Sequence, residues 1–390
     1  MRSRVLVFIT LAITQIAGWG VVGILPVLAS SIAKDLQIDQ PTAFLGVTAM
    51  YVVMGLSAPV AGKAFARLGV KHVMLCGASV VCIGLAVMGS VNSLLAYLAS
   101  WCAIGLGGAM FLTTSAYAYL AEFAGNKARG MIGSLMLVTG LAGSVFWPLT
   151  AWLDHLVGWR GATQIYAGGI LLLVIPLIAL SLPGVRSHPA APVSSRTTSR
   201  KGHILWFLVA AISLNSLVTL GMEAVGVELF NALGADLTLA VGLASLMGIL
   251  KVGGRLIELI GGKRWNAVRA GIFSGAMIPV AMLIPVVFGA SSRAILAYIV
   301  IFGIGSGAFA VARATMPLEF YEKSDYAAAM SMIGLPMNLV NATAPPLLSF
   351  LMATAGPSAM LSLMIVCSGA ALCLMLALGH FKSHQRVSVA

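Results

Sequence analysis

The stretch SLMGILKVGGRLIE, residues 245–258, sets Lys251, Arg255 and Glu258 in an otherwise apolar run. As a helix it places Lys251 about thirteen residues from the outer end, roughly 20 Å along the axis. A charge buried that deep in apolar surroundings costs at least about 2.5 kcal/mol on membrane-insertion scales, so such a group is retained for a task. The task open to an ammonium is to hold an anion or a carboxylate; the competing reading is a lysine that snorkels to the interface. Arg255 follows at i+4 and Glu258 three residues later, a spacing that permits a local ion pair. Arg313, in AVARATMPLEF, is a second candidate anion contact, again with snorkelling as its rival. Glu223 is the candidate proton-coupling carboxyl, since an acid titrates into the useful range when partly buried; a solvated helix end is the alternative.

These residues need elements to carry them. The chain has 390 residues, 60% hydrophobic and 9% charged, with a mean hydropathy of +1.01. Soluble domains carry about 25% charged residues, so the composition is that of an integral membrane protein. Apolar runs of about 20 residues, each long enough to cross a bilayer as a helix, recur throughout. The expected spans are 5–32, 42–65, 71–91, 94–121, 129–153, 160–182, 204–230, 237–259, 267–289, 294–317, 327–354 and 357–380. The opening MRSRVLVFITLAITQ is read as a retained first helix, because its apolar run continues to Ser31 without a clear processing site.

The formal charge of +12 is topological. With the N-terminus inside, basic residues from Arg2 and Arg4 through Lys63, Arg67, Lys71, Lys127 and Arg129 to Lys382 and Arg386 fall on the cytoplasmic side, against Lys34, Arg160 and Arg293 outside. That bias orients membrane proteins and removes the nucleic-acid reading. Both termini are expected in the cytoplasm. The five cysteines lie inside apolar spans, where a thiol packs as a small hydrophobe.

One long polar stretch, RSHPAAPVSSRTTSRKGH at 186–203, reads as a linker between an N-terminal six-helix bundle, 1–185, and a C-terminal one, 204–390. Three echoes link the halves: GKAFARLGVKHVM (62–74) with GRLIELIGGKRWN (254–266), IGLGGAMF (104–111) with GIGSGAF (303–309), and WPLTAWL (147–153) with PPLLSFL (345–351). They recur at a nearly constant offset, so the chain reads as a duplicated six-helix unit, the plan of transporters that rock two halves about a central site. Gly62 and Gly254 would let helices approach closely, and Gly69 and Gly261 would allow tight turns.

On these residues the chain resembles the major facilitator superfamily over its whole length. The two glycine-and-basic loops are similar to that family's loop signature, and Gly158, Trp159 and Arg160 to the GWR at the start of its sixth helix. The resemblance implies twelve transmembrane helices in two pseudo-symmetric bundles, and a cytoplasmic gate latched by Gly62, Arg67, Gly69, Lys71, Gly254, Arg255, Glu258, Gly261, Lys263 and Arg264. The chain departs from the signature at Ala66, where an acid is usual. It carries Trp101 where many proton-coupled members carry arginine, and GLAGSVFWPLTAW (140–152) meets the drug-antiporter signature only in part.

Spans one, five, seven and eleven contribute Gln15, Trp19, Trp147, Asn215, Asn338 and Asn341, candidate substrate-binding residues beside Lys251 and Arg313. The rival reading of each is a hydrogen bond that glues helices together. No Walker, HExxH or GxSxG motif is present, so an enzyme is not expected, nor a cofactor or metal. The expectation is a monomeric transporter in an inner membrane that moves a small organic anion such as a carboxylate, driven by protons or another ion. No acid is placed with assurance near the cationic residues. An exporter of amphiphilic, drug-like compounds is the first alternative, suited by twenty methionines, and a non-transporting sensor the second.

Overall fold

The computed structural model describes residues 2–184, 195–232, 237–261, 266–289 and 291–387. Among them the regular structure is helical throughout: α1 (Arg2–Val22), α2 (Leu25–Leu36), α3 (Gln40–Leu68), α4 (Val70–Met88), α5 (Leu94–Phe111), α6 (Thr113–Ala124), α7 (Ala128–Thr139), α8 (Ala142–Gly169), α9 (Ile175–Ser181), α10 (Ser195–Ala232), α11 (Leu237–Gly261), α12 (Ala267–Phe288), α13 (Ser292–Thr315) and α14 (Lys323–Val387).

Several of these combine or divide into membrane spans. The near-continuous helical stretch Leu94–Ser181 holds 88 residues, about 130 Å at 1.5 Å per residue, against roughly 30 Å of hydrocarbon. It is interrupted at Leu112, at Gly125, whose φ is 60°, at Gly140–Leu141 and at Gly158, whose φ of 71° and ψ of 169° leave helical space. Gly356, with φ 81° and ψ 175°, divides α14 in the same way. Only glycine enters these backbone regions without strain. Divided at Gly125, Gly158 and Gly356, the helices form rods that follow the expected spans, except that α10 begins at Ser195, well before the expected 204. The fold is an all-α membrane fold. Large apolar side chains such as Leu95, Leu172, Leu180 and Phe288 remain exposed on its surface, as lipid contact requires. The five cysteines are free.

Contacts group the chain into two compact units, Met1–Pro192 with Lys323–Ala342, and Val193–Glu322 with Thr343–Ala390. In the first, α5 packs on both α3 and α4; in the second, α13 packs on both α11 and α12. The second echo is the device that makes these pairs. A Cβ on Gly105 of α5 would lie 2.4 Å from the Met50 carbonyl oxygen of α3, and one on Gly307 of α13 would lie 2.0 Å from the Lys251 carbonyl oxygen of α11. Gly254 meets the Ile304 carbonyl in the same way, at 2.2 Å.

The first loop signature resolves into distinct local roles. Gly62 faces Ser331, with 2.6 Å from a built Cβ to Oγ. Gly69 takes φ 81° between α3 and α4. Lys71 donates from Nζ to the Ala179 and Leu182 carbonyls, at 2.7 and 2.6 Å, and so caps the end of α9. A cation there satisfies terminal carbonyls and the helix dipole. Tyr119 donates to the next free carbonyl, Pro183, at 2.8 Å. Arg67 is exposed. Lys71→Met is therefore expected to cost about 1 kcal/mol and to lower the apparent Tm in detergent, while Arg67→Ala leaves it unchanged; equal Tm values for the two variants would contradict the cap.

The second loop differs from its echo. Gly261 is not a turn residue but the last residue of α11, and its φ is not positive. Lys263 and Arg264 lie outside the described residues, as do residues 186–194 of the expected linker; α10 already begins at Ser195.

Around Gly158 the GWR residues tie two helices together. Trp159 Nε1 donates to Asp35 Oδ2 at 3.0 Å, and Arg160 pairs with the same carboxylate. Arg160 Nη2 donates to the Val91 carbonyl at 2.7 Å and to Asn92 Oδ1 at 3.1 Å, with the guanidinium 4.4 Å from the Trp159 ring centroid. Ser31 bonds Asp154 at 2.6 Å. Nearby, Asp39 caps α3 by accepting from Thr42 N at 3.1 Å, and this hydrogen bonding lowers its pKa from the ordinary value.

Candidate functional site

A cavity of about 60 Å³ opens inside the second unit, lined by one face each of α10, α11 and α13. From α10 come Asn215, Thr219 and Glu223, at i, i+4 and i+8; from α11 Lys251 and Arg255, at i and i+4; from α13 Ser306, Phe309 and Arg313, at i, i+3 and i+7. These are the spacings that keep side chains on one helical face. The close approach of Gly307 and Gly254 draws α13 onto α11, and this brings the basic residues of two helices to the same space.

At one end of the cavity Lys251 Nζ bonds Glu223 Oε1 at 2.6 Å. The lysine side chain is only 10% exposed and the glutamate 52%, so the carboxylate stands between the ammonium and the open space. The Nζ also lies 5.6 Å from the Phe302 ring centroid, a cation–π distance. The expectation of no acid near the cationic residues is therefore corrected: Glu223 is the acid. It reaches Lys251 from another helix, a register that spacing along the chain does not encode.

At the other end Arg313 Nη1 donates to Ser216 Oγ at 3.5 Å. Asn215 is 2% exposed, and its Nδ2 finds no acceptor among the described residues. Arg255, on α11 between these ends, lines the cavity. Glu258, one turn further along α11, is buried. Lining groups thus include three cations and one carboxylate, beside Asn215, Thr219 and Ser306, so the cavity is polar inside an otherwise apolar bundle.

The remaining candidates lie elsewhere. Gln15 Nε2 donates to the Phe111 carbonyl at 2.9 Å and Trp19 Nε1 to Thr113 Oγ1 at 2.8 Å, both at the break between α5 and α6. Trp147 Nε1 donates to the Gly23 carbonyl at 3.0 Å, where α1 gives way to α2. These side chains satisfy backbone and hydroxyl groups at interrupted helices. Asn338 is buried against Gly55, and Asn341 is half-buried on the same helix. Thr219, Ser306, Phe309 and Ser216 were not singled out from sequence. Thr219 was detectable as the residue midway between Asn215 and Glu223 on one face, and Ser306 as the polar residue of GIGSGAF.

A family model described as Major Facilitator Superfamily matches residues 7–289. No curated protein matches. Among solved structures, the human organic anion transporter MFSD10 (TETRAN) superposes with a TM-score of 0.68 at 17% identity, covering 96% of this chain and 98% of that one. The E. coli fucose:proton symporter FucP (N162A) gives 0.74 at 14% identity, covering 95% and 98%. The proton:xylose symporter XylE bound to 6-bromo-6-deoxy-D-glucose gives 0.72 at 13%, covering 95% of each chain. At these identities the likeness is one of fold.

Proposed function

We propose that this chain, which belongs to the Major Facilitator Superfamily, is a secondary active transporter that carries a small organic anion such as a carboxylate by alternating access. The observation that carries the reading is the cavity of the second unit, where Lys251, Arg255 and Arg313 line one space with one carboxylate among the described lining residues, Glu223. Charge inside a membrane span is retained for a pathway or a partner, and three cations in one cavity favour an anionic solute. Glu223 is the proposed proton-coupling group, since it touches both Lys251 and the cavity. In this reading the halves 1–185 and 204–390 move about a central site in an inner membrane, with both termini cytoplasmic, without a cofactor and as a monomer.

The test is uptake of short-chain carboxylates by the full chain reconstituted in liposomes, with and without an imposed pH gradient. Accumulation of a carboxylate is expected, with Arg313→Gln lowering uptake by at least about tenfold. Transport of hydrophobic cations alone would instead favour an exporter of amphiphiles. Carboxylate binding without accumulation would favour a sensor.

A further inference from the structure

The two ends of the cavity differ in sign. Glu223 lies seven residues beyond Ser216 on α10, and seven residues bring a side chain back to nearly the same face about 10 Å further along the axis. Arg313 is held at the Ser216 level and Lys251 at the Glu223 level. At the Glu223 end both partners line the cavity, but the half-exposed carboxylate is the more open of the two and Lys251 the more enclosed. At the Arg313 end, Asn215 lines the cavity and its Nδ2 has no acceptor among the described residues, which leaves that donor for a ligand.

We propose that the solute lies along α10 with its carboxylate on Arg313 and Asn215 and a hydrogen-bond donor, a hydroxyl or an ammonium, on Glu223. Lys251 is then not the anion's anchor. It is the positioning residue that holds the Glu223 carboxylate in place through the 2.6 Å contact, and Glu223 takes the far end of the solute. Subtracting a hydrogen bond of about 2.8 Å at each end from the 10 Å separation leaves roughly 4–5 Å between the solute's polar atoms. A four-carbon acid substituted at its far end spans that distance with one gauche bond in its chain, with Thr219 midway along the same face. The inference rests on the anion reading above and specifies it: a bifunctional monocarboxylate, not a dicarboxylate.

Four probes of one chain length separate the possibilities: butyrate, 4-hydroxybutyrate, 4-aminobutyrate and succinate, titrated calorimetrically into the purified full chain. Wild type is expected to bind 4-hydroxybutyrate or 4-aminobutyrate at least about tenfold more tightly than butyrate, because a site built around a polar partner discriminates against the analogue that lacks it. Succinate should bind more weakly than either. Glu223→Gln should erase the preference over butyrate while butyrate still binds, and Asn215→Leu should weaken all the monocarboxylates alike with the preference kept. Tightest binding of succinate, or a preference untouched in Glu223→Gln, would overturn the proposal and make Lys251 a second anion anchor. Equal binding of all four would overturn it and leave the anion reading standing. Binding of none would remove both.

Discussion

Glu223→Ala is expected to destabilise the protein by about 2 kcal/mol, whereas Lys251→Met changes stability by less than about 1 kcal/mol. The asymmetry follows from exposure. Lys251 is 10% exposed and Glu223 52%, so removing the carboxylate strands an enclosed ammonium, while removing the ammonium leaves a carboxylate that water in the cavity still solvates. A fully buried pair broken on one side costs about 3–5 kcal/mol; the exposure of Glu223 brings the figure down here. The double variant Glu223→Ala/Lys251→Met removes both charges, and should recover most of what Glu223→Ala loses. Membrane proteins often unfold irreversibly, so the check is the order of apparent Tm values at a fixed scan rate: Glu223→Ala lowest, the double variant near Lys251→Met. Additive losses across the four proteins would show that the two side chains are not coupled.

Much of this architecture was legible because it follows from local rules. Spans are set by runs of apolar residues, and where two runs abut, Gly158 and Gly356 supply the positive φ that separates them. Lys251 and Arg255 could be recognised as one face by their i, i+4 spacing, and the echo of GIGSGAF with IGLGGAMF marked a duplication, while the close pairs α11–α13 and α3–α5 that its glycines make emerged only in the structure. What was not legible depends on register between helices. Nothing near residue 223 in the sequence says that its carboxylate meets Lys251, 28 positions later, or that Lys71 reaches across 108 positions to the Ala179 carbonyl. The break at Leu112 was equally hidden, since neither Leu112 nor Thr113 is a glycine or proline. For Gln15 and Trp19 the sequence left a solute contact and a hydrogen bond between helices both open, and their observed partners are the Phe111 carbonyl and the Thr113 hydroxyl at that break.

Gly307→Ala is expected to have the other large effect. A Cβ at this position would lie 2.0 Å from the Lys251 carbonyl oxygen, 2.7 Å from its carbonyl carbon and 2.8 Å from its Cα. All three are backbone atoms, so no side-chain rotation relieves the clash, and α13 must move off α11 by more than an ångström or the helices must slide. Overpacking of this kind costs about 1–3 kcal/mol, and here the upper end is expected because the obstruction cannot yield locally. The displaced segment of α11 carries Lys251, so the hold on Glu223 and the alignment of the cavity's two ends are lost together, and solute binding should fall with stability. Gly253→Ala is the matched control: it too is a glycine in a helix interior, with no atom within 4 Å of a built Cβ, and alanine there should stabilise by up to about 1 kcal/mol through helix propensity alone. Apparent Tm values of the two variants, with butyrate affinity alongside, decide the matter. If Gly307→Ala keeps the wild-type Tm and affinity, α11 and α13 do not approach as closely as described, and the cavity between them is not held by that contact.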